Sequence, residues 1–305
     1  MTTIAKTVLI TGATRGLGLA FAKHYSKAGW KVIGTARNVD AADKLKELSI
    51  FRIVQLDMSD ESSIAHMAKE LDGVPIDLLI NNAGVAELDS YTTATKEHFM
   101  RQFEINSVGP FLTTRALHNN LKLAADVHEL AVVASVSTIL GSIEANLDGA
   151  FGPPEKVYYD NFKLPNGGLY GYRASKTALN MINANLAMDL KKDKIAAIVL
   201  QPGYVKTDIN HHNGVIEPET SVAGMTTVLL GVTLEDTSKF YDFQGPELPW
   251  SATTVASTPS IGCWPWKRTP ELRRHGMSFL YAYALHCLWL HSYSLKSWYH
   301  YKTRV

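Results

Sequence analysis

Along the first 250 residues, short apolar runs alternate with longer stretches of helical period. Thr7 to Ile10, Trp30 to Thr35, Phe51 to Leu56, Ile76 to Ile80, Leu130 to Ala134 and Ile195 to Leu200 are near-continuous hydrophobic segments of strand length. Between them, Leu17 to Tyr25, Ser62 to Leu71, Lys96 to Leu121 and Tyr172 to Leu190 repeat apolar residues at the spacing of amphipathic helices. Strands that read as unbroken apolar runs, separated by helices, belong to a parallel sheet covered on both faces. The pattern predicts an α/β fold, a Rossmann-type doubly wound parallel sheet with helices on both faces. In such sheets ligands bind beyond the carboxyl ends of the strands, so the residues after each apolar run are the ones to inspect. The chain has no internal repeat and no low-complexity tract.

The first strand end is the most informative. Thr11-Gly-Ala-Thr-Arg-Gly-Leu-Gly18 joins the first apolar run to the first helical stretch. Glycines at 12, 16 and 18 allow a tight turn, close approach to a pyrophosphate and packing of helix on sheet, while free amides at the helix start face the anion. Gly12, Thr14, Arg15, Gly16, Leu17 and Gly18 are therefore candidate dinucleotide-binding residues, the alternative being a glycine-rich loop with no ligand. After the second strand stands Arg37, where an NAD-using protein usually offers a carboxylate to the ribose hydroxyls. With Arg15 it would clamp a 2′-phosphate, which favours NADP(H) over NAD; two solvated arginines are the plain alternative. Asp57 ends the third strand and is placed to meet the adenine, and Asn81-Asn82-Ala83-Gly84 ends the fourth.

Tyr172 and Lys176 lie four apart on one helix and share a face, so the ammonium, together with cofactor charge, is expected to lower the phenol pKa and let it exchange a proton with a carbonyl or alcohol oxygen. A surface pair is the alternative, since this spacing is common in helices.

Together these segments resemble the short-chain dehydrogenase/reductase family over about residues 4–250, with wording closest to the C-factor and sniffer-like carbonyl reductases. The matching pieces are Thr11-Gly12-x-x-x-Gly16-x-Gly18, Asn81-Asn82-Ala83-Gly84, Asn106, Tyr172-x-x-x-Lys176, and Pro202-Gly203 with Thr207. The resemblance implies an NADP(H)-dependent oxidoreductase that interconverts a carbonyl compound and an alcohol. In it Tyr172 is the general acid, Lys176 holds the nicotinamide ribose and tunes Tyr172, and Asn106 holds a water in the proton relay. Asn82, Ala83 and Gly84 border the cofactor, and Pro202, Gly203, Val205 and Thr207 meet its carboxamide end. The family's substrate-orienting serine falls on Thr138 in this register, with Ser137 its neighbour; Thr138 is preferred, because a one-residue shift on extended backbone reverses the side chain. The resemblance also implies dimerisation through the helices at 97–121 and 172–190, although the long segment before Tyr172 would block that surface, as in the family's monomeric carbonyl reductases. A dinucleotide-sensing interaction protein with little turnover is the reading from another class.

Composition adds limits. The 305 residues are 46% hydrophobic and 19% charged with net charge +1. Residues 251–305 carry seven lysines and arginines against Glu271 alone, so the preceding body is mildly acidic and offers no reason to expect nucleic-acid binding. Both cysteines, Cys263 and Cys287, lie in that tail, and the N-terminus runs straight into the first strand, so a cytoplasmic protein is expected. The boundary is set at residue 250: a catalytic domain over 1–250, then an aromatic, basic tail that reads as a membrane-interface element, a partner arm or a gene-model artefact. Asn146 to Gly168 and Asp208 to Met225 are expected to form loops over the site. His211-His212 lacks a third ligand, so no metal site is expected.

Overall fold

The computed structural model describes residues 5–143 and 168–250. The tail 251–305, and all but Gly168 of the segment Asn146 to Gly168, lie outside the described residues.

Strands β1 (Thr7–Ile10), β2 (Lys31–Ala36), β3 (Arg52–Gln55), β4 (Leu78–Asn81), β5 (Ala131–Val136), β6 (Ile195–Gln201), β7 (Phe240–Asp242) and β8 (Glu247–Leu248) form one sheet in the order β3-β2-β1-β4-β5-β6-β7-β8. All neighbours are parallel except the last pair, β7 and β8. The six anticipated strands are all present. Successive residues enter opposite layers, as the two-residue strand period requires: Val8 and Ile10 join one apolar cluster, Leu9 the other. Helices α1 (Gly16–Lys27) and α8 (Pro218–Gly231) cover the first face through Phe21, Tyr25, Val222 and Met225. Helices α3 (Glu61–Glu70), α6 (His118–His128) and α7 (Tyr170–Leu190) cover the second through Ile64, Met67, Leu121 and Leu186. Each such buried side chain contributes about 1.5–3 kcal/mol relative to exposure. The order reverses direction between β1 and β4, so their carboxyl ends splay connections apart and open a crevice there.

Four features depart from the sequence reading. The stretch Lys96 to Leu121 is not one helix: α4 (Lys96–Phe103) passes through a π turn, Glu104–Val108, into α5 (Gly109–Ala116), and α6 follows. Pro110 has no amide for the helical ladder, and at Gly109 a Cβ would come 2.6 Å from the Met58 carbonyl, so the chain is both broken and pressed close there. The second anticipated loop is only partly one, because Pro218 starts helix α8. The edge strands β7 and β8 are too short to show a period. The short helix α2 (Asp43–Lys46) also escaped the pattern.

Candidate active site

The glycine loop after β1 turns through left-handed backbone at Gly12 (φ 66°) and Gly16 (φ 52°). A side chain at Gly18 would put its Cβ 2.1 Å from the Gly12 carbonyl oxygen, so only glycine lets helix α1 start this close to the turn. Thr11, which carried no assigned role in the sequence, ties the loop to the end of β4: its Oγ1 accepts from the amides of Asn82 (2.9 Å) and Ala83 (3.0 Å). Asn82 Nδ2 donates back to the Thr11 carbonyl at 2.9 Å, and the Gly12 amide donates to Thr35 Oγ1 at 3.2 Å. The cradle is held in shape by the protein's own polar groups.

It opens into a cleft of about 880 Å³. Thr14, Arg15, Gly16, Leu17, Arg37, Asp57, Ala83, Gly84, Pro202, Gly203, Val205 and Thr207 line it, as do Gly12 and Asn82. Gly18 supports the loop from behind, and Asn106 does not line the cleft. At the end of the cleft beyond β2, Arg37 is exposed and makes no ion pair among the described residues. Arg15 differs: its Nε lies 3.1 Å from Asp208 Oδ2, an acidic partner the sequence did not bring to notice because the chain returns over the glycine loop only after Pro202-Gly203. Asp57 Oδ1 accepts from the amide and hydroxyl of Ser59 at 2.9 and 2.7 Å. Asp208 also pairs with His212 at 2.8 Å, and no group of three potential metal ligands occurs among the described residues.

Tyr172, Lys176, Thr138 and Ser137 line the same cleft. Lys176 Nζ is buried and donates to the Val136 carbonyl at 2.8 Å; burial pulls its pKa down to about 8. Burial pushes the Tyr172 phenol up to about 12. In the protein alone burial sets the direction of the phenol's shift; the lowering expected from the sequence called on the cofactor's charge together with the Lys176 ammonium. Ser137 Oγ donates to Asn180 Oδ1 at 2.7 Å, whereas Thr138 Oγ1 accepts from the Leu140 amide at 3.2 Å and keeps its own proton to donate. Asn106 sits inside the π turn with its side chain committed: Oδ1 accepts from the Val85 amide, and Nδ2 donates to the Val85 carbonyl and Ser175 Oγ at 2.8 and 3.0 Å. Residues 85–88 make a further part of the wall, where Glu87 pairs with Arg101, and neither was anticipated. The run Val85-Ala-Glu-Leu88 carried no chemical signature that would have found them.

The residues fit a dinucleotide. A glycine cradle that side chains would fill leads to a buried ammonium with no carboxylate partner among the described residues, and both face one cleft. Among the described residues no helix is long and apolar enough to cross a membrane.

Comparison with known proteins agrees with this arrangement. The short chain dehydrogenase family model matches residues 6–147 and 161–215. The C-signal protein of Myxococcus xanthus is 35% identical over 177 residues, 58% of this chain and 93% of the relative. The NADPH-bound carbonyl reductase from chicken fatty liver superposes with a TM-score of 0.69 at 28% identity, covering 81% of this chain and 100% of that structure. The carbonyl reductase Sniffer of D. melanogaster does so with a TM-score of 0.69 at 26% identity, over 81% and 100% of the two chains. Because the family match takes in the glycine loop and the tyrosine helix alike, this chain belongs to the short chain dehydrogenase family.

Proposed function

We propose that this protein is an NADPH-dependent carbonyl reductase that reduces a ketone or aldehyde to an alcohol, or runs the reverse, with Tyr172 as the proton donor. The observation that carries the reading is that Tyr172, Lys176 and Thr138 open onto the same cleft as the glycine loop. The NADPH-bound neighbour supports the choice of cofactor, as does a cleft-lining Arg37 without a carboxylate partner among the described residues.

Bound NADPH supplies the hydride. Gly12, Thr14, Gly16 and Leu17 hold the pyrophosphate end, Arg37 and Arg15 the 2′-phosphate, and Asp57 the adenine. Asn82, Ala83, Gly84, Pro202, Gly203, Val205 and Thr207 border the rest of the cofactor. Lys176, with one donor on Val136, has two left for ribose hydroxyls. Thr138 donates a hydrogen bond that orients the substrate oxygen. The phenol, kept protonated by burial, delivers its proton to that oxygen as the carbon is reduced. A relay through Asn106 uses its main-chain carbonyl, since both ends of its side chain are spent. Residues 1–250 form the catalytic unit, acting in the cytoplasm on a small molecule.

The test is Tyr172→Phe in the full chain, assayed by NADPH oxidation on aromatic and aliphatic ketones and quinones. Loss of turnover with NADPH binding retained is expected; unchanged turnover ends the mechanism. NADPH binding by the unaltered protein without turnover on any carbonyl assigns it to the dinucleotide-sensing class instead.

A further inference from the structure

We propose that Asp89 is a positioning residue for Tyr172, clamping the substrate wall after β4 to the first turn of α7; the inference rests on the reductase reading. Asp89 is only 8% exposed and lies outside the cleft lining. Its Oδ1 accepts from the amide of Tyr170 at 2.6 Å, and its carbonyl accepts from the amide of Leu169 at 2.9 Å. Two successive donors at the start of the catalytic helix are thus held by one residue, two positions before the phenol. Oδ1 satisfies one of the amides a helix start leaves open, and the negative charge lies at the favourable end of the helix dipole.

The clamp holds an unfavourable geometry in place. Leu169 stands in left-handed backbone (φ 52°), which a leucine adopts at a cost, and its carbonyl then accepts the first helical bond, from the Arg173 amide at 2.8 Å. Gly168 before it is also left-handed (φ 83°), and a Cβ there would come 3.3 Å from the Asp89 carbonyl. The second carboxylate oxygen, Oδ2, is buried without a hydrogen-bond partner among the described residues. Nothing in the burial of a half-satisfied carboxylate favours folding for its own sake. What it does here is fix where α7 begins.

The neighbouring residues show what is being fixed. Every second residue of the wall is anchored: Val85 by Asn106, Glu87 by the Gln102 side chain at 3.0 Å, and Asp89 by α7. Gln102 in turn blocks the far side of Gly171, where a Cβ would lie 2.3 Å from its Nε2. Leu88 and Leu169, on the two clamped segments, both line the cleft. Releasing Asp89 lets the first turn of α7 shift against this wall and moves the phenol relative to the substrate oxygen. The glycine loop, joined instead to Thr11, Thr35 and Asn82, keeps its shape.

The experiment compares Asp89→Ala, Asp89→Asn and Tyr172→Phe in the full chain, reading kcat, KM, the NADPH dissociation constant and hydrogen exchange at the Leu169 and Tyr170 amides. Asp89→Ala is expected to lose about tenfold or more in kcat, since small misplacements of a reacting group are expensive, with NADPH affinity unchanged and faster exchange at both amides. Asp89→Asn still offers an oxygen to Tyr170 and is expected to recover most of the rate. If the alanine variant is insoluble, Asp89→Ser, whose side chain is too short to hold the same bond, carries the comparison. An unchanged kcat in a protein that Tyr172→Phe silences overturns the proposal. So does a parallel loss of kcat and NADPH affinity, or asparagine no better than alanine. Turnover surviving in Tyr172→Phe sinks the reductase reading instead; the exchange measurement then decides, and unchanged exchange at both amides removes the clamp.

Discussion

Ser137 Oγ donates to Asn180 Oδ1 at 2.7 Å, which commits the serine hydroxyl to helix α7 and leaves Thr138 as the hydroxyl with a proton to offer the substrate. Thr138→Ala is expected to lower kcat/KM for carbonyl reduction about tenfold to a hundredfold, in line with removal of one oriented donor, while Thr138→Ser retains activity. Ser137→Ala is expected to keep kcat and lower the melting temperature, because it leaves the Asn180 oxygen buried without its donor. Steady-state kinetics on the three variants decide the matter: a larger rate loss at Ser137 than at Thr138 reverses the assignment.

The two arginines at the adenosine end are not equivalent. Arg15 and Asp208 are 69% and 50% exposed, so their pair is screened and weak, yet a phosphate must share Arg15 with it. Arg37 has no such competitor among the described residues. Arg37→Ala is expected to weaken NADPH binding about tenfold and leave NADH binding unchanged, the size of one charge-assisted contact near solvent. Arg15→Ala is expected to cost less. Fluorescence titration with both cofactors measures it, and equal weakening of NADH and NADPH would show that Arg37 does not touch the 2′-phosphate.

How much of this was legible follows from which signals are local. Strands β1, β2, β4, β5 and β6 showed because nearly all their residues are buried on both faces, β3 by its apolar run alone, and the glycine loop because its backbone admits no side chain at Gly18. The break between α4 and α5 was written in Gly109-Pro110, but the amphipathic period ran through it. β8, two residues long, has no period to read. The Asp208 partner of Arg15, the Asn180 partner of Ser137 and the Val136 partner of Lys176 each join segments more than 35 residues apart, and no spacing rule brings them together. Four-residue spacing says which side chains share a face, not which neighbour takes the ammonium, so the pairing of Lys176 with the Val136 carbonyl was not legible.

The Lys176 ammonium gives the pH dependence. Burial lowers its pKa to about 8, while the Tyr172 phenol is raised to about 12, so between these values the lysine loses its charge and the phenol keeps its proton. kcat/KM for reduction, which reports groups of the free enzyme, is expected to be level near neutrality and to fall as pH rises through about 8. Stability moves the other way. Between about 8 and the ordinary lysine value near 10.4, the unfolded chain still binds the proton that the folded protein has released, so the free energy of unfolding rises with pH across that window. Lys176→Met is expected to abolish turnover and to flatten this rise relative to the unaltered protein, measured by denaturant unfolding at pH 7.5 and about 9.5. A rate that stays level to pH 10, or a stability difference between the two proteins that does not change with pH, would show that the ammonium is not held in a buried site.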